Sequence, residues 1–235
     1  MTGLLTHTFK ELPVVRLLRH SAITAEARWY DWRHNVQTRA DPLEDLRDWT
    51  AGFPYLPIRP NTARQVIRSL PITDPADYTF VDLGSGKGRM LLIASEFPFR
   101  RVVGVEMRED LHDQALENVR RYRRPAAQSS RIDCQLVDAT QFVFPAGKLV
   151  VYLFNPFSAE IMAKVFQRLD ASFEQDPREI VLVYVYPEFG FQMKNLRHFE
   201  MYQETGRHWV AKSHGDGYTC AGGAHMVRGE LLSSQ

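Results

Sequence analysis

Three glycines in a run of five, Gly84, Gly86 and Gly88, follow the apolar stretch 78–83 and precede an apolar, helix-patterned one. Glycine reaches positive φ and lets a backbone approach a ligand closely. A helix beginning near Lys87 adds free N–H groups and a positive dipole end. The pattern reads as a ligand cradle at the carboxyl end of a strand, where open α/β sheets bind their ligands. The spacing is G-x-G-x-G, which is not the dinucleotide fingerprint G-x-G-x-x-G. A phosphate-binding P-loop needs Gly five positions before the Gly-Lys pair and Ser or Thr after it, and Val81 and Gly88 stand there instead. The bare alternative is a tight turn.

Further candidates stand at the ends of the next apolar runs. Glu106 lies 18 residues beyond Gly88 at the end of the second run, and a carboxylate there can accept hydrogen bonds from both hydroxyls of a ribose. Asp138 ends the third run, before Ala139, and Asn155-Pro156-Phe157 ends the fourth. Read blandly, Glu106 and Asp138 are solvated strand ends.

The run Asp82-Leu83-Gly84-Ser85-Gly86-Lys87-Gly88 resembles motif I of the class I S-adenosylmethionine (SAM) methyltransferases. The resemblance covers about residues 61–235 and implies methyl transfer with SAM as cofactor. It implies that Asp82, Gly84, Ser85, Gly86, Gly88, Glu106, Asp138, Ala139, Asn155 and Tyr55 hold SAM. In the family the Asp138 position bonds the adenine amino group. Asp82 orders the glycine loop or contacts the amino end of SAM; a loop brace is its plainer role. Amino-directed members carry Asn/Asp-Pro-Pro-aromatic at the fourth strand end. There the Asn oxygen and a backbone carbonyl accept N–H bonds from the target amine, a matter of positioning, and the aromatic ring flanks a planar or cationic substrate. Asn155, Pro156 and Phe157 are the catalytic candidates by that likeness. The chain departs from the pattern, with one Pro and Ser158 after Phe157. The competing reading makes Ser158 a helix N-cap and Phe157 a core residue.

The run is most similar to that of the non-SET protein lysine methyltransferases and of uncharacterised bacterial methyltransferases. The latter carry an upstream segment like Tyr30-Asp-Trp-Arg-His-Asn-Val-Gln-Thr38 and a Tyr-x-Pro like Tyr55-Leu56-Pro57. This implies a helical extension, residues 1–60, acting as a lid over a methyltransferase domain, residues 61–235. Tyr30, Trp32 and Tyr55 are its candidates for shaping the acceptor pocket; the alternative is aromatics packed on the sheet.

Positioning these groups requires a parallel sheet. Strand patterns at Tyr78–Leu83, Arg101–Glu106, Ile132–Val137, Lys148–Phe154 and Glu179–Tyr186 alternate with helical ones at Asn61–Leu70, Lys87–Phe97, Arg108–Tyr122 and Ser158–Phe173. Short apolar strands alternating with helices predict an α/β fold with a doubly wound, mostly parallel sheet. The resemblance sets the strand number at seven, with one antiparallel strand near the C-terminus. His198–Glu204 and His208–Ser213 are strand-like. Gly215-Asp216-Gly217 is a turn signal, after which Tyr218–Cys220 and His225–Leu231 can return as strand.

Composition narrows the classes. The 235 residues carry 29 Lys+Arg against 28 Asp+Glu, for a formal charge of +1. That balance lacks the basic excess of a general nucleic-acid binder, so nucleic acid is an unfavoured partner. The favoured acceptor is an amine of a protein side chain or small molecule. Two cysteines make no disulfide framework, which points to a reducing cytoplasm. No apolar run reaches membrane-spanning length and no secretory signal is visible. The basic run Arg120–Arg124 suits a helix C-terminus. His208, His214, Cys220 and His225 match no familiar zinc spacing, and His34 and His214 are unselected candidates for a general base. The rivals to an amine methyltransferase are a nucleic-acid methyltransferase, a non-catalytic SAM-binding scaffold and a nicotinamide oxidoreductase.

Overall fold

Five apolar runs form the parallel part of one sheet. In the computed structural model, which describes residues 25–40, 55–123 and 132–213, these are β1 (Thr79–Leu83), β2 (Arg101–Glu106), β3 (Ile132–Leu136), β4 (Leu149–Phe154) and β5 (Ile180–Val185). The strands β1 and β5 are buried along their whole length, and β4 along all but its last residue, Phe154. Parallel strands covered on both faces must be buried in this way. The sheet has seven strands in the order β3-β2-β1-β4-β5-β7-β6. The two additions are β6 (Phe199–Glu204) and β7 (His208–Ser213), and β7 runs antiparallel to both β5 and β6.

The hairpin between β6 and β7 is closed by Thr205. Its hydroxyl donates to the His208 carbonyl at 2.8 Å and accepts the backbone N–H groups of Arg207 and His208. The turn expected at Gly215–Gly217 and the strands expected after it lie outside the described residues.

Helices cover both faces. We label them α1 (residues 25–34), α2 (Pro60–Arg68), α3 (Arg89–Ala94), α4 (Glu109–Arg121) and α5 (Ala159–Gln175). One core joins Phe80, Val102, Tyr152 and Val183 to α2 and α3, and takes in Tyr30, Val36 and Ile58 from the N-terminal part. The other joins Val81, Val103, Val151 and Leu182 to Met162, Val165 and Leu169 of α5. Residues 25–40 and 55–60 therefore share a hydrophobic core with the sheet.

Two helix ends differ from the sequence expectation. Pro60, at the first helical position, starts α2 where its missing N–H costs nothing, and the Asn61 N–H goes to Glu26 Oε1 at 2.7 Å instead of into a cap. The helix α3 stops at Ala94, three residues short of Phe97. The Ser95 hydroxyl donates to the Leu92 carbonyl at 2.6 Å and tight i→i+3 bonds close the turn before Pro98. Among the described residues, no helix is long and apolar enough to cross a membrane.

The sheet order places the functional crevice. The neighbours on either side of β1 are β2 and β4, so the chain leaves β1 toward one edge and β4 toward the other. Their carboxyl ends diverge at this point, the topological switch of a doubly wound sheet.

Candidate functional site

The glycine loop occupies that switch point. Gly84, Gly86 and Gly88 all adopt left-handed φ, at 80°, 53° and 82°. Two of them also have no room for a side chain. A Cβ on Gly84 would lie 2.6 Å from Pro156 Cβ, and one on Gly86 would lie 2.2 Å from the ring of Tyr55. The loop is tied down by the Gly84 and Ser85 N–H groups, which both donate to the Val105 carbonyl. Ser85 itself is buried.

Glu106 braces the same loop from β2. Its Oε2 accepts the Gly86 N–H at 2.8 Å, and its Oε1 accepts the N–H groups of Met107 and Arg108 at 3.0 and 2.9 Å. A carboxylate has about four acceptor positions, and three are taken by backbone. Asp138 is exposed after β3 and accepts the Thr140 N–H at 2.8 Å, while Ala139 beside it is buried. Asp82 is buried within β1. Burial, with the Glu106 charge adding to it, pushes its carboxyl up to about 8. On the same face of the neighbouring strand, the Tyr152 hydroxyl is buried without a hydrogen-bond partner among the described residues.

The end of β4 is equally constrained. Asn155 has φ 44°, and Tyr186, which follows the neighbouring β5, has φ 49°. Asn tolerates this region; a bulky Tyr there is unusual and marks local strain. The Asn155 amide is held at both ends. The Tyr184 hydroxyl donates to its Oδ1 at 2.8 Å, and its Nδ2 donates to Glu188 Oε2 at 3.0 Å. A carboxylate only accepts, so this network fixes which way the amide points. Burial, reinforced by Glu188, raises the Tyr184 phenol to about 12 and keeps it a donor.

A buried polar network joins the N-terminal part to the glycine loop. Arg89, the residue after Gly88, is only 3% exposed. Its Nε donates to Thr38 Oγ1 at 2.7 Å and its Nη1 to the Ile58 carbonyl at 3.2 Å, and its Nη2 lies 3.8 Å from Asp31 Oδ1. Asp31 in turn accepts the Thr38 hydroxyl at 2.6 Å and the Thr38 N–H at 3.1 Å. Asn118 on α4 exchanges bonds with the backbone of Gln37 and also donates to the Lys87 carbonyl at 2.8 Å. The Tyr55 hydroxyl donates to the Thr38 carbonyl at 2.9 Å, and burial keeps this phenol protonated. Residues 25–40 are thus bolted to the loop by side chains that have left water.

No protein-family model matches the chain, and no curated protein sequence matches it. Similarity appears among solved structures. A predicted N6-adenine-specific DNA methylase from Listeria monocytogenes str. 4b F2365 aligns with TM-score 0.50 and 12% identity, over 73% of this chain and 53% of that one. A ribosomal protein L11 methylase from Lactobacillus delbrueckii subsp. bulgaricus aligns with TM-score 0.48 and 16% identity, over 76% and 85% of the two chains. An RNA methyltransferase from Salinibacter ruber, solved with S-adenosyl-L-homocysteine, aligns with TM-score 0.49 and 16% identity, over 71% and 98%. The chain shares its fold with the Listeria methylase. At these identities the likeness is one of fold, and the chain spans only about half of the Listeria protein. A predicted DNA methylase shares this fold, so the compositional expectation against a nucleic-acid acceptor gains nothing from it.

Within this methyltransferase fold the residues singled out by sequence separate into three groups. Asp82, Gly84, Ser85, Gly86, Gly88, Glu106, Asp138 and Ala139 stand at or beside the carboxyl ends of β1, β2 and β3, with Tyr55 over the loop. Asn155 and Pro156 reach the same crevice from β4, Pro156 directly against Gly84. Phe157 is buried in the α5-side core, and its ring also borders the glycine loop, with Cε1 3.7 Å from where a Cβ of Gly84 would stand.

The other candidates fall away from the crevice. Tyr30 is wholly buried in the core, and Trp32 is 75% exposed. His34 is packed between Tyr30 and Tyr122. Arg120 and Arg121 pair with Glu117 on their own helix. His208 lies on β7, and the remaining proposed zinc ligands are outside the described residues. The concavity lined by Thr79, Arg100, Arg101 and Asp133 sits at the amino-terminal ends of the strands and holds none of these residues.

Sequence reasoning did not single out Arg89, Asp31, Thr38, Asn118, Glu188 or Tyr186. The only signal for Asp31 and Thr38 was the resemblance of the upstream segment, and Arg89 had only its place after the glycine run, since an Arg or Asp is by default expected in solvent.

Proposed function

We propose that the chain is a SAM-dependent methyltransferase acting on a nitrogen acceptor. The observation that carries this is the Gly86 N–H held by Glu106 within a loop of three left-handed glycines, at the crevice between the ends of β1 and β4.

The residues present fit SAM. The glycine loop offers a surface without side chains, Glu106 supplies a carboxylate at its edge, and Asp138 is an exposed acceptor after β3. SAM supplies an electrophilic methyl group on a positively charged sulfur. The glycine loop and Ser85 would hold its amino-acid portion, and Asp138 with Ala139 its adenine. The backbone bonds leave Glu106 about one acceptor position, so it would take one ribose hydroxyl rather than two. Tyr55, against Gly86, would close the site from the N-terminal side and exclude water.

Nitrogen is favoured by Asn155. The Tyr184 hydroxyl uses one lone pair of Oδ1, and the second can accept an N–H from the acceptor. An amine held this way is aimed rather than activated, and orientation contributes much of the acceleration in group transfer. Pro156, packed on Gly84, fixes Asn155 relative to the cofactor loop.

The test is SAM binding to the wild type and to Glu106→Ala, followed by labelled-methyl transfer with Asn155→Ala. The reading expects affinity to fall about tenfold or more in the first variant, since a buried charged acceptor is removed. An unchanged affinity would take Glu106 out of the site. Binding without transfer to any acceptor would favour a SAM-binding scaffold.

A further inference from the structure

We propose that the exposed face of α1, together with the end of α4, is a docking surface for single-stranded nucleic acid. This surface is independent of the methyltransferase reading above.

The helix α1 has two opposite faces. Tyr30 and Asp31 are buried and Ala27 and His34 half-buried, whereas Arg28, Trp29, Trp32 and Arg33 are exposed. Residues three and four apart are neighbours on a helix, so Trp29 lies beside Trp32 and Arg33, and Arg28 beside Trp32. The four side chains form one patch. Its two indoles are 57% and 75% exposed, which is unusual for so large a ring. The inward face holds the helix in place. Tyr30 lies in the core, and Asp31 accepts the Thr38 hydroxyl and the Arg39 guanidinium. The backbone that carries the indoles is therefore fixed before a partner arrives.

The basic run at the end of α4 reaches the same place. The Arg123 N–H donates to the His34 carbonyl at 3.1 Å, and the His34 ring packs on Tyr122 with centroids 5.1 Å apart. The end of α4 thus meets the end of α1, and the exposed Arg123 joins the patch at its Arg33 end. Among the described residues, the side chains of Arg28, Arg33 and Arg123 have no ion pair or hydrogen bond. The acids of α1 and of the last turns of α4 are taken up elsewhere: Glu26 by Arg59, Asp31 by the buried network, and Glu117 by Arg120 and Arg121. Three uncompensated guanidinium groups and two bare indoles are left on one surface. The formal charge of +1 for the whole chain conceals this local excess.

That combination selects the partner. Guanidinium groups bind phosphate, and indoles stack on bases that are free of a duplex. A double helix would engage the arginines and leave the indoles unused. A lipid surface fits less well, because a lipid-binding helix presents a broad apolar face and here Arg28 and Arg33 flank only two rings. An acidic peptide would satisfy the charges alone.

The experiment is fluorescence anisotropy of a fluorescein-labelled oligothymidylate of about 12 nucleotides, long enough for a single-strand site, titrated with the purified full chain over a range of salt. The expected result is saturable binding that weakens about fivefold or more in Trp29→Ala and in Trp32→Ala, the loss of one stacked base each. The slope of log affinity against log salt should shrink by about 0.7 for each arginine replaced in Arg28→Gln, Arg33→Gln and Arg123→Gln. All five side chains are exposed, so the variants should keep the wild-type melting temperature. No saturable binding, or wild-type affinity in both tryptophan variants, would overturn the proposal. Tighter binding of an oligonucleotide duplex would overturn it in favour of a backbone contact alone. Equally tight binding of polyglutamate would overturn it in favour of an acidic peptide. Capture by phosphatidylserine vesicles without oligothymidylate binding would overturn it in favour of a membrane surface.

Discussion

The ring of Tyr55 lies against Gly86 so closely that a single added carbon at residue 86 would meet it at 2.2 Å. This contact joins the N-terminal part of the chain to the centre of the cofactor loop. It also makes the loop sensitive to substitution in two independent ways, through space and through φ.

Gly86→Ala should therefore weaken SAM binding about tenfold or more, with a stability cost of about 1–3 kcal/mol from the left-handed backbone. Tyr55→Ala in the same background would relieve the clash and leave the backbone strain. Calorimetry and chemical denaturation of the wild type and the two variants separate the two effects. Wild-type affinity in Gly86→Ala would remove the loop from the binding site.

Arg89 and Asp31 form the second prediction. Replacing Arg89 with Ala removes the donor to Thr38 and leaves Asp31 paired with Arg39 alone, at 3.2 Å. Losing the charge-assisted hydrogen bonds of a buried guanidinium costs about 2–3 kcal/mol. Urea unfolding of Arg89→Ala, Asp31→Asn and the double variant should show strong non-additivity, since the two residues share partners. Additive effects would mean that the N-terminal part is not bolted on through this pair.

Asp82 gives the fold a pH dependence with a definite sign. Its carboxyl is pushed up to about 8 by burial and by Glu106, whereas in an unfolded chain it titrates near ~4. Between these values the folded state keeps a proton that the unfolded state has released. The associated stability is complete below about pH 4 and is lost as pH rises through about 8. The melting temperature of Asp82→Asn should fall less than that of the wild type between about pH 5 and pH 9. Parallel curves for the two proteins would contradict the assignment.

Phe157 packs in the core beside Gly84. Phe157→Ala should destabilise the fold by about 3 kcal/mol or more, as for other buried aromatic truncations. Phe157→Leu, which restores most of the volume, should recover most of that loss along with any methyl transfer. Loss of transfer in a stable Phe157→Leu protein would return the ring to the acceptor site.

The sheet and the glycine turn were legible in the sequence because their signals are local. Strands such as Leu149–Phe154 are continuous apolar runs, and the glycines announce a turn whichever helices surround it. The carboxylates Glu106 and Asp138 were legible because each stands at the end of an apolar run. What remained hidden depends on distant segments meeting. Arg89 is buried only because residues 31–38 and 58 arrive to satisfy it. Tyr186 and Glu188 become neighbours of Asn155 only through the pairing of β4 with β5.

That the glycine crevice binds SAM is the central claim. The most direct measurement is calorimetric titration of the purified protein with SAM, S-adenosylhomocysteine and NAD in parallel. Saturable binding of both adenosyl ligands, and none of NAD, is the expected result. Binding of NAD alone, or of none of the three, would contradict it.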